Sequence, residues 1–364
     1  MSMIPFYDPQ RTYEDNYAFG PFGAFRASSP FVRAEQPRSN FLGHPVTRPF
    51  GIPAGPLLNA AYCAAAFSHG FDVNVYKTVR TRAHCAHPFP NTLAVHVNGD
   101  LTIERAARPV TADSDFRHVE SITNSFGVPS RDPDEWQPDM AKAVDSAGPG
   151  QVLVGSFQGT RSDGHPADAM AAYVADHVRA ATLVAETGAK VLELNLSCPN
   201  EGGANLLCFD TPTVVRIVEA IRNAIGDLPL VLKLAYFAED PPLAKLVAAT
   251  RSLVDGYAAV NTIPATLVGA DGCQALPGEG REVGGVCGAA IAWAGLEMTE
   301  RLATLRDRGD RYFAIVGVGG VRTEQDYATL RHAGADAVMS ATGAMFDPLL
   351  GVRIHGVAEA SVPS

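Results

Sequence analysis

The feature that most constrains this chain is a repeated alternation in which a short, continuously apolar run gives way to a longer stretch of helical period. Eight such runs occur: Gly51 to Ala54, Val73 to Val79, Val152 to Phe157, Val191 to Leu194, Leu230 to Leu234, Ala258 to Thr262, Phe313 to Val316 and Asp336 to Ser340. The stretches of helical period are Asn59 to His69, Pro133 to Ala147, Ala167 to Thr187, Thr211 to Ile225, Pro241 to Val254, Ile291 to Arg308, Thr323 to Ala333, and a last one near Pro348 to Ala360. Helix starts are signalled by Asp210, by Asp240 before the Pro241-Pro242 pair and by Thr323 with Asp326, and helix ends by Gly188, Gly226, Gly256, Gly309 and Gly334. Strands that are apolar throughout, each followed by a helix, belong to a parallel sheet covered on its faces. Eight units predict an α/β fold, the (β/α)8 TIM barrel. A doubly wound sheet is the alternative, but the first strand runs into Ala54-Gly55-Pro56 in place of a G-x-G-x-x-G turn.

Two connections exceed simple turns, Arg80 to Ser130 after the second strand and Ile263 to Ala290 after the sixth. Both fall on the C-terminal face of a barrel, as walls or lids, and the first has room for hairpins. Residues 1–48 are rich in Pro, Gly and aromatics, which suits an extension packed on the barrel or on a partner subunit. Residues 49–364 form the barrel domain.

The chain of 364 residues carries a formal net charge of −10, which disfavours nucleic acid and favours a small-molecule partner. No signal-peptide pattern and no apolar run of membrane-spanning length is present, so a cytoplasmic protein with no membrane partner is expected. None of the six cysteines forms a C-x-x-C pair, so no metal or iron–sulfur site is encoded locally.

The chemistry concentrates where the predicted strands end. The fourth strand discharges into Asn195, Ser197, Cys198, Pro199 and Asn200, and Pro199 keeps these residues on a loop. Lys77 and Lys233 lie inside otherwise apolar strands, where an ammonium is costly unless an anion is near. That anion is either a ligand or a protein carboxylate, Glu193 or Asp336. The glycine-rich turns after strands seven and eight, Gly317 to Gly320 and Ser340 to Gly343, suit a phosphate held by backbone N–H groups. Asn124, Asn195, Asn200 and Asn261 each offer a donor and an acceptor, which fits a flat heterocycle with alternating C=O and N–H edges. Cys198 supplies a thiol with an ordinary pKa of about 8.5, close enough to neutrality for a base.

With these residues in view, the sequence resembles the class 1 dihydroorotate dehydrogenases, FMN-dependent enzymes on a (β/α)8 barrel, from about Pro49 to Gly356. ELNLSCPN at Glu193 to Asn200 carries the resemblance most specifically. Tyr76-Lys77-Thr78, Asn124 to Pro129, Val260-Asn261-Thr262, Gly284 to Gly288 and Gly317 to Val321 add to it. The resemblance implies Cys198 as catalytic base, with Lys77, Asn124, Gly127, Val128, Asn195, Asn200, Asn261 and Thr262 around a pyrimidine substrate. It implies FMN held by Ala54, Gly55, Lys77, Thr78, Asn195, Lys233 and Val260 at the ring system, and by Gly285, Gly319, Gly320 and Thr342 at the phosphate. The implied reaction is oxidation of (S)-dihydroorotate to orotate in pyrimidine biosynthesis, by a homodimer. The electron acceptor is left open between fumarate, oxygen and a separate electron-transfer partner.

Phe126 stands where the class has methionine, Ser130 where it has asparagine, and Glu201-Gly202-Gly203 where it has a Val-Pro-Gly type sequence. Thr262-Ile263 and the insertion around Gly269 to Arg281 are closer to the flavin domain of dihydropyrimidine dehydrogenases. Another dihydropyrimidine or an enone is therefore an alternative substrate. From a different class, a Schiff-base aldolase using Lys77 or Lys233 is a further alternative.

Overall fold

The computed structural model describes residues 5–27, 36–37, 39–161, 166–197 and 206–357, with the backbone alone for 166–168. Cys198, Asn200 and Glu201-Gly202-Gly203 lie outside the described residues. The eight expected strands form one parallel sheet: β1 (Phe50–Gly51), β2 (Val73–Val79), β3 (Val152–Phe157), β4 (Val191–Asn195), β5 (Leu230–Lys233), β6 (Gly256–Ala259), β7 (Ala314–Val318) and β8 (Ala337–Met339). Their spatial order is β1-β8-β7-β6-β5-β4-β3-β2. Backbone hydrogen bonds from Asp72 N to Phe50 O (2.8 Å) and from Val75 N to Ile52 O (2.9 Å) join the two ends, so the barrel closes.

The inward side chains are layered. At the N-terminal end the interior is filled by Val73, Val75, Val152, Val154, Val191, Val231, Val316 and Ala337, and the hairpin Ser39–Phe41/His44–Val46 packs Phe41 and Val46 against them. Two residues further along β2 to β5 the same face turns polar, while β7 and β8 continue with Val318 and Met339. Val73 and Val75 are followed by Lys77, Val154 by Ser156, Val191 by Glu193 and Asn195, and Val231 by Lys233. The register sets Ser156 opposite Glu193 and Lys233 opposite Asn195, so the polar layer sits at the C-terminal mouth. Outward residues such as Leu192, Leu194, Leu230 and Leu232 pack under the helices.

Helix formation follows from local signals. In Thr211–Ile225, Asp210 accepts from Thr213 N, Pro212 stands in the first turn, and Val214, Ile217, Val218 and Ile221 make the buried stripe. Burying each of these side chains is worth about 1.5–3 kcal/mol. Thr323 and Asp326 form a full capping box. Two signals read differently in the structure. Helix Asp240–Thr250 takes Glu239 as its N-cap, with Asp240 already helical, and Gly256 opens β6 instead of ending that helix. At Gly256 an added Cβ would lie 2.8 Å from Ala314 O, so strand packing selects that glycine.

The two long connections together build a second closed unit. Ala94–Val95, Val110–Asp113 and Ser121–Asn124 come from the first connection and Ile263–Val268 and Val283–Gly288 from the second. These five short strands close on one another over the mouth of the large barrel. The residues before β1 are anchored on the barrel. Asn16 is buried and holds the chain before its own helix, Tyr13–Phe19, by accepting from Asp8 N (2.8 Å) and donating to Asp8 O (2.9 Å) and Thr12 O (2.9 Å). Phe6 stacks on Phe25 (4.4 Å between centroids), and Tyr62 Oη donates to Asn16 O from helix Ala60–Ser68.

Candidate active site

A cleft with about 1190 Å3 of empty space, part of it open to solvent, lies at the C-terminal ends of the barrel strands. Its wall includes Lys77 and Thr78 from β2, Glu193 and Asn195 from β4, Lys233 at the end of β5, and Val260, Asn261 and Thr262 after β6. Ala54 and Gly55 after β1, Val318 ending β7, Ala341 and Thr342 after β8, and Asn124, Gly127 and Val128 from the long first connection line it too. Of the residues singled out from sequence, Gly285, Gly319 and Gly320 stand just behind this wall, next to Cys287, Val318 and Thr262.

Lys77 and Thr78 are consecutive, and in a regular strand they would face opposite ways. The pairing of β2 with β3 slips between Tyr76, opposite Gly155, and Val79, opposite Phe157, so β2 carries one extra residue there. This bulge turns both side chains toward the cleft.

Below them runs a buried polar chain. Thr78 Oγ1 and Ser156 Oγ are 2.9 Å apart, Ser156 Oγ donates to Glu193 Oε1 (3.1 Å), and the charge of Lys233 acts on Glu193. Burial pushes the Glu193 carboxyl above its usual range and the neighbouring ammonium pulls it back; burial likewise lowers Lys233 and Glu193 holds it up. Lys233 thus has a protein anion as well as a place on the cleft wall. Asp336 serves elsewhere, accepting from Arg306 Nη1 (2.8 Å). Of the two carboxylates the sequence offers as counter-charges, Glu193 is the one that faces Lys233, and its position two residues before Asn195 on one strand face places it in the site as well.

Asn195 Oδ1 accepts from Ser197 N (3.2 Å) and Oγ (3.0 Å), and its amide meets that of Gln158 at 2.8 Å. With the Gln158 amide turned so that its oxygen faces Arg80 (2.8 Å to Nη2), its nitrogen faces Asn195. Arg80 also donates to Val128 O (3.1 Å), and Arg281 Nη2 donates to Ser125 O and Oγ, each at 2.9 Å. These two guanidiniums hold the 124–130 loop in a shape it would not adopt alone. Val128, a β-branched residue, has φ 51°, in the left-handed region. Gly127 has φ 77°, and an added Cβ would lie 2.5 Å from His87 Nε2. Asn261 Nδ2 donates to Ser197 O (3.2 Å).

Phe126, the substitution noted in the sequence, also lines the cleft, and so do residues to which sequence reasoning gave no role: Tyr7 and Tyr13 from the N-terminal segment, Cys287 and Met345. Burial pushes the Cys287 thiol up to about 11, so it remains protonated at neutral pH.

Residues 114–356 match the family model described as dihydroorotate dehydrogenase. The chain belongs to the dihydroorotate dehydrogenase family. Dihydroorotate dehydrogenases are oxidoreductases acting on CH–CH bonds, and this chain is an enzyme of that kind. The dihydroorotate dehydrogenase of Dictyostelium discoideum is 29% identical over 368 aligned positions, covering 96% of each chain. The catalytic subunit of dihydroorotate dehydrogenase B (NAD(+)) from Pyrococcus horikoshii is 28% identical over 223 positions, 61% of this chain and 65% of its own. DHODH from Eimeria tenella, solved in complex with ferulenol, shares the fold with a TM-score of 0.70 at 18% identity, over 91% of this chain and 86% of that one. Among the described residues no helix is long and apolar enough to cross a membrane.

Proposed function

We propose that this chain oxidises (S)-dihydroorotate to orotate in the class 1 manner, with FMN as resident cofactor and Cys198 as base. The observation that carries the reading is the convergence of Lys77, Asn124, Asn195, Lys233 and Asn261 on one cleft in a chain of this family. The donor set suits a flavin. Lys77, Thr78, Asn195 and Lys233 bring hydrogen-bond donors and positive charge, and Ala54, Gly55 and Val260 bring a wall without large side chains. The cleft reaches Val318 and Ala341-Thr342, beside the turn at Gly319 and Gly320. Those glycines have φ of 136° and 71°, and a Cβ on Gly320 would lie 2.4 Å from that of Ala292, so the turn can present backbone only. In this reading Gly285, Gly319, Gly320 and Thr342 hold the phosphate.

When bound, FMN would supply the acceptor for the hydride released from C6 of the substrate. Cys198 as thiolate takes the C5 proton, and the electron pair of that C–H bond becomes the C5–C6 double bond. Asn124, Asn195, Asn200 and Asn261 hold the ring edges, each amide matching one C=O or N–H. Lys77 sets a positive charge between the two ligands. Lys233 keeps its ammonium where negative charge accumulates, and Glu193 keeps that ammonium from being a lone buried charge. Residues 49–364 carry this chemistry, and residues 1–48 are an extension that completes the wall.

Cys198→Ala tests the reading. The variant is expected to keep the yellow cofactor, with absorption near about 450 nm, and to lose steady-state turnover with dihydroorotate. Turnover near wild type refutes the role of Cys198, and a colourless protein that borohydride traps with substrate supports a Schiff-base lysine instead.

A further inference from the structure

The N-terminal segment contributes two side chains to the cleft that no part of the reaction above uses. Tyr7 and Tyr13 line it beside Phe126, and both pack edge-on against that ring, with centroids 5.7 and 6.1 Å away. They are nine-tenths buried, with 5% and 4% of their surfaces exposed. Among the described residues neither phenol oxygen has a hydrogen-bond partner. Other tyrosines of this region are paired: Tyr62 Oη donates to Asn16 O (2.9 Å) and Tyr76 Oη to Asp139 Oδ2 (2.7 Å). The bodies of both rings are buried while their hydroxyls reach the open cleft, where a ligand group can meet them.

The placement is rigid. Asn16 fixes the chain around Asp8 and Thr12, Asn59 Nδ2 donates to Tyr17 O (2.8 Å), and Phe6 N donates to Met345 O (3.3 Å) beside the cleft. The phenols are therefore pre-aimed and need no ordering when a ligand arrives.

We propose that Tyr7 and Tyr13 form a subsite that donates hydrogen bonds to the carboxylate carried by the substrate ring. This rests on the dihydroorotate reading above. The surrounding wall favours that choice of ligand group. Phe126, Leu58 and Met345 make this corner apolar, no arginine lines the cleft among the described residues, and the reading above assigns the asparagines to the ring edges. Burial keeps both phenols protonated well above their ordinary pKa, so they stay donors throughout the working pH range. A carboxylate, which only accepts, is the natural complement of two fixed donors. Phe126 positions the pair by its two edge contacts, which gives the aromatic ring at that place in the loop a purpose.

The test uses the full-length flavin-loaded protein and titrates the visible flavin band with orotate and, separately, with uracil, which lacks the carboxylate. Tyr7→Phe and Tyr13→Phe are each expected to weaken orotate binding about tenfold, and the double variant more, with the uracil affinity unchanged within about twofold. Flavin content is read in parallel. Should the double variant fail to load flavin, the same ratio is taken from the single variants. Equal loss for both ligands, or no loss for orotate, overturns the subsite while leaving the dihydroorotate reading in place. A wild-type protein that holds flavin and binds neither ligand overturns both.

Discussion

Removing the ammonium of Lys233 is the sharpest perturbation of the site, because its effect changes sign with the partner removed. Lys233→Met leaves Glu193 fully buried with one hydrogen bond, from Ser156. A carboxylate so placed stays protonated in the folded state. Its folded pKa is raised above the unfolded value of about 4.3, so its contribution to stability is complete below that pH and is lost as pH rises toward the folded pKa. The loss grows by about 1.4 kcal/mol per pH unit, reaching about 2 kcal/mol at pH 6. It levels off at about 3–5 kcal/mol, the usual cost of breaking a buried pair, once the carboxylate ionises.

Glu193→Gln runs the other way. Lys233 then has a folded pKa depressed by burial with nothing to restore it. Stability is present at high pH and lost as pH falls through the folded pKa. Urea midpoints at pH 6 and pH 8.5, followed by far-ultraviolet circular dichroism with flavin content measured alongside, report both slopes. Relative to wild type, Lys233→Met should lose stability toward pH 8.5, Glu193→Gln toward pH 6, and the double variant should recover a flat profile. Loss of cofactor alone cannot produce opposite slopes. Two single variants with the same slope as wild type would falsify the pairing.

The remaining expectations concern the scaffold. In Gly51→Ala the new Cβ would lie 1.6 Å from Val73 O, backbone against backbone at the seam of β1 and β2, so soluble yield should collapse; a soluble variant with a wild-type spectrum refutes the seam argument. His177 is fully buried and pushed down to about 4 by desolvation, so the unfolded chain takes up its proton first as pH falls below 6.5. Wild type should therefore lose about 2 kcal/mol between pH 7 and 5 that His177→Leu does not lose, read from urea midpoints. Asn16→Ala removes the bonds to Asp8 and Thr12 and should release the first turns to limited proteolysis while the barrel stays folded; a protected N-terminus contradicts that anchoring.

The barrel and much of the cleft were legible in the sequence because their determinants are local or strictly periodic. The eight strands of the large barrel and eight of the helices were visible as apolar runs and helical periods, whereas the short helices Tyr13–Phe19, Ile103–Ala106 and Thr342–Phe346 were not, and the inward alternation from Val191 through Glu193 to Asn195 was visible in the letters themselves. Once eight units were counted, the fold required the strand ends to converge, and Lys77, Asn195, Lys233 and Asn261 came together for that reason. Where local signals compete, the sequence misled. Asp240 offered a cap that the structure takes from Glu239, and Gly256 offered a helix end that strand packing against Ala314 turned into a strand start.

Other features exist only in three dimensions. The bulge that turns both Lys77 and Thr78 into the cleft depends on how β2 meets β3. The five-stranded unit joins segments separated by more than a hundred residues, and no period within either one announces the partner. The choice of Glu193 over Asp336 beside Lys233 depends on barrel register, since one carboxylate faces inward and the other lies near the surface with Arg306. Tyr7 and Tyr13 are the clearest case. Their segment carries no periodic signal, and only long-range bonds to Met345, Tyr62 and Asn59 bring it to the mouth of the barrel. The sequence by itself determined the fold, the family resemblance and the residues at the strand ends, because strand periodicity and chain connectivity are written along the chain. The tertiary structure decided which of those residues face one another, and that two phenols from the far N-terminus share the cleft with them, because register and long-range packing are properties of the closed barrel.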